Sequence, residues 1–473
     1  MAMTFKRPIL VGGLGLTASF WLLDTLGHAP VDGSLAMGAI ALGSGLWWLN
    51  KSRSPQIDMA APTLVAADRE AVSQALARFD SAVETLKADF AEQLEQLQPA
   101  IAALQQQKAQ MLENLERDTL LISLVGHKST GKSTLLRHLA ASWQPEKTLR
   151  YAETALSDEA NLVDPNSDLV LFLIAGDLTE SELQSLQSLV REGHQVLLVL
   201  SKQDQLQPTD REVVLERVRS RVQPMGVDAL AAAAAPGPIK VRRHLNSGEV
   251  QESLEQPAPQ TAALTQVLST LSTEKSAQLV MATGLRQAKA LRHQAIDLLN
   301  AQRRQKAMPM IEQMQWIAAG TAFANPLATL DLLAAAAINA QLVLDIGAIY
   351  GQKFSLDQAK AAAGTLAELT VKLGLVELAT QALGSVLKGH ATTYVAGGLL
   401  QGVSAAYLTR VAGLALIDFF QAQSLLEPPE RQFSFEQLGE RLQTGFQQVR
   451  QGTALSSFVN QTLKHLPVGN AIA

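Results

Sequence analysis

The stretch "LISLVGHKSTGKSTLLRHLA", Leu121 to Ala140, decides the fold. An apolar run meets a tight loop of glycines and hydroxyls and then becomes helical. Gly126-His127-Lys128-Ser129-Thr130-Gly131-Lys132-Ser133 fits G-x-x-x-x-G-K-[ST] without a mismatch. Two glycines let the backbone close into a nest of N–H groups around a phosphate chain. Lys132 would reach the β- and γ-phosphates as the catalytic cation, and the Ser133 hydroxyl would take one position on Mg²⁺. Thr134 opens a helix whose positive end points at the same anion. A chance match in a strand–turn–helix is the competing reading. The context disfavours it, because Leu120–Val125 reads as a buried strand and Leu135–Ala141 as a helix.

Two more buried strands follow, "DLVLFLIAGD" (Asp168–Asp177) and "HQVLLVLSKQD" (His194–Asp204). The second ends in Ser201-Lys202-Gln203-Asp204, which resembles the [NT]-K-x-D signature of the translation-factor class of P-loop GTPases (Era-like and dynamin-related), with Ser in place of Asn or Thr. Asp204 can accept from guanine N1–H and N2–H together, a donor pair that adenine lacks, and the Lys202 stem would lie along the base. Its place at the carboxyl end of a buried strand is where open α/β sheets bind nucleotides. GTP with Mg²⁺ is therefore the expected cofactor. An ATPase using Asp177 as its Mg²⁺ ligand is the alternative.

Elsewhere the chain departs from that family. No D-x-x-G lies between the loop and the next buried strand; the nearest equivalent, Glu153-Thr154-Ala155-Leu156, lacks both the Asp and the Gly. No Gln follows to position a water. Thr148 and Thr154 are the candidates for the switch threonine, and the Ala-rich Asp228–Pro238 stands where an S-A-K loop would contact the base. Phosphoryl transfer rests on positioning and charge stabilisation. Hydrolysis is thus expected to be slow alone, or to need a group from another protein.

The 473 residues allow two to four structural units. With 39 Lys+Arg against 44 Asp+Glu the formal charge is −5, and without a basic domain nucleic acid is not an expected partner. The absence of cysteine excludes disulfides, thiolate metal sites and a cysteine nucleophile.

The chain opens with two apolar segments, Arg7–Gly27 and Gly33–Asn50, each near the ~20 residues that span hydrocarbon. Lys6 and Arg7 precede the first, and Lys51 and Arg53 follow the second. The positive-inside rule then puts both ends, and the nucleotide domain, in the cytosol at an inner membrane. A cleaved signal peptide and a soluble hairpin are the competitors.

Beyond a Pro-containing linker, Val72 to Leu115 carry an apolar seam spaced by 4 and 3, with an extra 4 at Phe90–Leu94 and Pro99 expected to kink or divide the helix. Leu271–Ala307 reads as a second long helix. The pair is expected to pack as an intramolecular stalk, with intermolecular coiled coils as the other option.

From Trp316 to Gly351 the chain resembles the YcjF-type helical domain of unknown function, through Asn325-Pro326, Asp331, the buried amides Asn339 and Gln341, and the closing Tyr350-Gly351. That resemblance implies a membrane-associated helical domain found with P-loop GTPases. Asp331 and Asp345 interrupt the apolar block, so a buried bundle is expected over true spans; Ala391–Thr409 is the best candidate span.

The expected architecture is an α/β P-loop NTPase domain, mainly a parallel sheet, inserted between long helices. An all-α C-terminal domain and an N-terminal membrane hairpin complete it. The boundaries read 1–53 hairpin, 54–117 linker and helix, 118–250 nucleotide domain, 251–313 long helix, 314–425 apolar helical domain and 426–473 amphipathic tail. The layout resembles that of dynamin-like and immunity-related GTPases, which implies a lipid membrane and self-association, through the nucleotide domain or the helices, as partners. A non-hydrolysing nucleotide-binding scaffold is the second functional reading, and an ATP-driven transporter component ranks last.

Overall fold

The computed structural model describes residues 67–143, 148–155, 163–244, 250–324, 328–377, 397–426 and 434–450, with positions 379, 383, 458 and 461. The expected N-terminal hairpin and the linker up to residue 66 lie outside the described residues.

A five-stranded parallel sheet is built from β1 (Leu120–Gly126), β2 (Leu149–Ala155), β3 (Leu169–Ile174), β4 (Val196–Leu200) and β5 (Asp228–Ala231), in the order β2-β1-β3-β4-β5. Every residue of β3 is buried, which is why it reads as an unbroken apolar run rather than an alternating one. Leu135 and Leu139 of α3 (Lys132–Ser142) cover one face. Leu186 and Leu189 of α4 (Glu180–Arg191) cover the other, with Val218 and Val222 of α5 (Pro208–Val222). Thr179 and Glu182 form a capping box that starts α4. The chain leaves β1 toward β2 and returns past it to β3, so the order reverses between β1 and β3. That switch point is where the strand ends open a crevice.

Before the sheet come α1 (Arg69–Asp89) and α2 (Leu94–Asn114). They are two antiparallel helices, not one kinked helix. The chain reverses at Phe90–Gln93, the place of the extra four-residue step, while Pro99 sits inside α2. Lys108 Nζ donates to Asp80 Oδ1 at 2.6 Å across the pair. A seam of this kind specifies burial but not the partner, and here a chain reversal supplies it.

After β5 a hairpin of β6 (Ile239–His244) and β7 (Val250–Glu255) leads to α6 (Ala262–Thr273) and then to α7 (Ser276–Ala324), 49 residues long. Two expectations change here. The long helix does not begin near 251: Leu264, Val267, Leu268 and Leu271 of α6 belong to the core of the sheet. Nor does it end at 313, since α7 runs on through Pro309. Its Ala288, Leu291, Ala295 and Leu299 close a core with Phe79 and Leu86 of α1 and Ile101 of α2, so the stalk is intramolecular.

Farther along, α7 packs with α8 (Ala328–Ile349), α9 (Leu356–Lys372), α10 (Gly397–Leu425) and α11 (Phe435–Arg450) around Ile311, Val343, Leu366, Tyr407, Leu416 and Leu438. Among the described residues one stretch, Leu400–Leu425, is long and apolar enough to cross a membrane, and 67% of its apolar window is buried within the protein. The candidate span Ala391–Thr409 is described only from 397 onward. Gln341 is exposed and donates to Asp345 Oδ1 at 2.7 Å, and Asn339 is half-buried, so neither is the buried amide expected of the helical domain. Asn325-Pro326 lies outside the described residues.

Candidate nucleotide-binding site

Gly126–Ser133, the candidate phosphate loop, follows β1 at the switch point. Gly126 must be glycine, because a Cβ there would meet the Leu173 carbonyl oxygen at 2.5 Å and Thr130 Oγ1 at 2.9 Å. Ser129 and Gly131 adopt φ values of 67° and 91°, the left-handed turns that gather successive N–H groups into a concavity. Thr130 Oγ1 donates to the His127 carbonyl at 2.9 Å and steadies the turn. Lys132 is buried and its Nζ donates to the carbonyls of Gly126 and His127, each at 2.8 Å. Burial pushes its ammonium below its ordinary pKa, while the Glu153 carboxylate pulls it upward.

The end of β4 comes to this loop. Ser201 Oγ bonds the carbonyls of Thr130 at 2.5 Å and Ile174 at 2.9 Å, so the Ser in the Asn/Thr position ties the loop to β3 and β4. Lys202 is left-handed, with φ 55°, and its Cε lies 3.8 Å from where a Cβ on Gly131 would sit. Asp204 Oδ2 accepts from the Gly237 N–H at 3.1 Å, and Gln203 N–H donates to the Ala232 carbonyl at 3.4 Å. The segment after β5 thus packs directly against the Ser201–Asp204 turn. One Asp204 oxygen is engaged; the carboxylate keeps further acceptor capacity.

The most informative contact was not expected. Ser133 Oγ donates to Glu153 Oε1 at 2.7 Å. Glu153 lies in the segment that lacks the D-x-x-G pattern, so no local motif marks it. Its strand, β2, is the edge strand beside β1, and Thr154 stands in register with Val125, one residue from the loop. The sheet order that puts β2 there is not written in any local motif. Ser133 and Glu153 form an oxygen pair suited to a hard divalent cation. Among the described residues no group of three or more His, Asp or Glu side chains could hold a metal unaided. A Mg²⁺ ion there would depend on phosphate oxygens for the rest of its shell.

Two other expectations are corrected. Thr148 precedes Leu149, which pairs with Leu120 at the end of the parallel sheet away from the loop, so it cannot serve as a switch threonine. Asp177 is held by the Leu178 N–H at 2.9 Å and by Arg217 Nη1 of α5 at 3.2 Å. It is Glu153, not Asp177, that meets Ser133.

At the opposite end of the sheet, buried Asp168 is bonded by Arg117, by the Leu121 N–H at 2.9 Å and by Thr283 Oγ1 of α7 at 2.8 Å. Arg286 of α7 donates to the Ser167 carbonyl at 3.0 Å. The sheet domain is thereby joined to the long helix through a buried polar knot.

Residues 286–451 match the family model described as a domain of unknown function (DUF697). The match begins within α7, ahead of the expected boundary at 314, and covers the bundle. No curated protein matches the chain. Two solved structures that resemble it are both described by the words "An oligomerised bacterial dynamin pair provides a mechanism for the long-range sensing and tethering of membranes". They are 12% and 13% identical, cover 84% of this chain and 75% of theirs, and superpose with TM-scores of 0.23 and 0.24. A likeness that slight carries no argument about this chain.

Proposed function

We propose that the chain is a membrane-anchored GTP-binding protein and a slow GTPase, whose nucleotide state or self-association controls the attached helical domain. One observation carries this: the Ser201-Lys202-Gln203-Asp204 turn is bonded directly onto the phosphate loop, with Asp204 facing the segment after β5. A base seated beside the turn would present its Watson–Crick edge to the Asp204 carboxylate, and guanine is the purine with two donors for it.

The proposed roles rest on the motif together with this geometry. Backbone N–H groups of Gly126–Ser133 cradle the phosphates, and Lys132 exchanges two backbone carbonyls for phosphate oxygens. Ser133 and Glu153 offer oxygens to Mg²⁺, which when bound would neutralise charge on the β- and γ-phosphates. No residue is assigned to orient the attacking water, which is why hydrolysis is proposed to be slow or to need a second molecule. The membrane anchor rests on the two apolar N-terminal segments. A non-hydrolysing scaffold is the second reading, favoured by Glu153 where the pattern has Asp and by the missing Gly.

The deciding experiment measures affinities of the full chain for GTP, ATP and XTP, in wild type and Asp204→Asn. Preference for GTP that moves to XTP in the variant supports the proposal. Equal affinity for ATP and GTP, unchanged by the substitution, overturns it.

A further inference from the structure

A cavity of about 360 Å³ opens between α1, α7, the turn after α8 and α10, away from the phosphate loop. Its volume falls within the ~300–1,000 Å³ range of small-molecule sites. Arg78, Arg292 and Arg303 give it a cationic wall, while Ile296, Leu299 and Phe420 give it an apolar one; no carboxylate lines it. Arg303 is 7% exposed. Its Nη2 donates to Asp89 Oδ2 at 2.8 Å, but its Nε is buried without a partner. A buried charged donor without a partner is costly, so Arg303 Nε favours an acceptor arriving from the cavity.

The surroundings hold Arg303 in place. Its guanidinium lies 5.7 Å from the centroid of Tyr350. Gly351, at φ +74°, leaves the wall bare where a Cβ would stand 3.9 Å from Arg303 Nη2. Tyr350-Gly351 is the pair that closes the apolar helical block in the sequence, and nucleotide binding makes no use of it.

We propose that this cavity is a second anion site, which takes a phosphate-bearing ligand with an apolar portion. Guanidinium forks match phosphate oxygens, and the Ile296–Leu299–Phe420 wall would take hydrocarbon. The ligand would touch the helix before the nucleotide domain, the helix after it and the C-terminal bundle at once, so it would clamp stalk to bundle. The inference stands independently of the nucleotide assignment. The shared chemistry is a phosphate monoester, whether a lipid headgroup or a soluble phosphate.

The test titrates dihexanoyl phosphatidic acid, inorganic phosphate and dihexanoyl phosphatidylcholine into the full chain in neutral detergent, by calorimetry. Wild type is compared with Arg303→Gln, Ser81→Trp and Lys132→Ala. Ser81→Trp plugs the mouth from α1 without touching Arg303, so it keeps the test decisive where loss of the Asp89 pair perturbs folding. The expected result is phosphatidic acid binding that survives Lys132→Ala and weakens at least 10-fold in both other variants. A 10-fold or greater preference for phosphatidic acid over inorganic phosphate is expected and would identify a lipid; equal affinity would overturn the role given to the apolar wall. The proposal is overturned by no binding, by equal binding of phosphatidylcholine, by binding that persists in both Arg303→Gln and Ser81→Trp, or by binding lost in Lys132→Ala alone.

Discussion

The Ser201 hydroxyl lies 2.5 Å from the Thr130 carbonyl oxygen and 2.9 Å from that of Ile174, joining the end of β4 to the phosphate loop and to β3 through one buried side chain. The Ile174 carbonyl also accepts the Ser201 backbone N–H at 2.8 Å, so it is the Thr130 carbonyl that depends on the hydroxyl. Ser201→Ala would leave that carbonyl without this partner, at about 1–3 kcal/mol. The expected outcome is a nucleotide affinity lowered roughly 10-fold, since about 1.4 kcal/mol is a factor of ten, together with a lower Tm. Unchanged affinity in fluorescent-nucleotide titrations would show that the loop is held without it.

Glu153 should matter only when the divalent ion is present. Glu153→Gln keeps the size and an oxygen for Ser133 but removes the charge. Nucleotide affinity in Mg²⁺ should fall several-fold, while affinity in EDTA changes little. Equal losses in the two buffers would mean that Glu153 shapes the loop rather than serving the cation.

Hydrolysis should depend on crowding. With no water-orienting residue assigned in this chain, the rate per molecule is expected to rise as protein density on liposomes increases. Release of phosphate in strict proportion to protein would remove self-association from the proposal. Absence of release in single-turnover assays with Mg²⁺ would leave the scaffold reading.

His194 sets an acid limit on the fold. Burial, aided by the nearby positive charge of Arg286, pushes its imidazole down to about 4 from 6.5. Glu192 stands 3.8 Å away but is half exposed, too solvated to compensate. The folded protein therefore keeps His194 neutral where the unfolded chain already protonates it. Stability on this account is full above pH 6.5 and is lost as pH falls toward 4. The span of about 2.5 units corresponds to about 3 kcal/mol. Chemical denaturation of His194→Phe at pH 7 and 4.5 should show a smaller acid loss than wild type; identical losses would place the acid sensitivity elsewhere.

The tight turn of Gly126–Ser133 could be read from eight consecutive residues because its requirements are local: glycines where the backbone is left-handed or closely approached. β3 and β4 were equally legible, since strands buried on both faces need unbroken apolar runs. Glu153 was not, because its meeting with Ser133 follows from which strand lies beside β1. The α1–α2 reversal escaped for a related reason: a periodic seam marks a buried face and leaves its partner open. The amides Asn339 and Gln341 show the opposite error, where resemblance suggested burial at positions that face partly or wholly outward.

One unbroken helix, α7, carries Thr283 against the sheet's buried Asp168 and, farther along, Arg303 against the anion cavity. At 1.5 Å per residue the two points stand about 30 Å apart on a rigid rod. A tilt of roughly 5° about Thr283 would swing Arg303 by about 3 Å, the length of a hydrogen bond. A movement too small to disturb the core around the sheet would thus suffice to make or break the grip on whatever occupies that cavity.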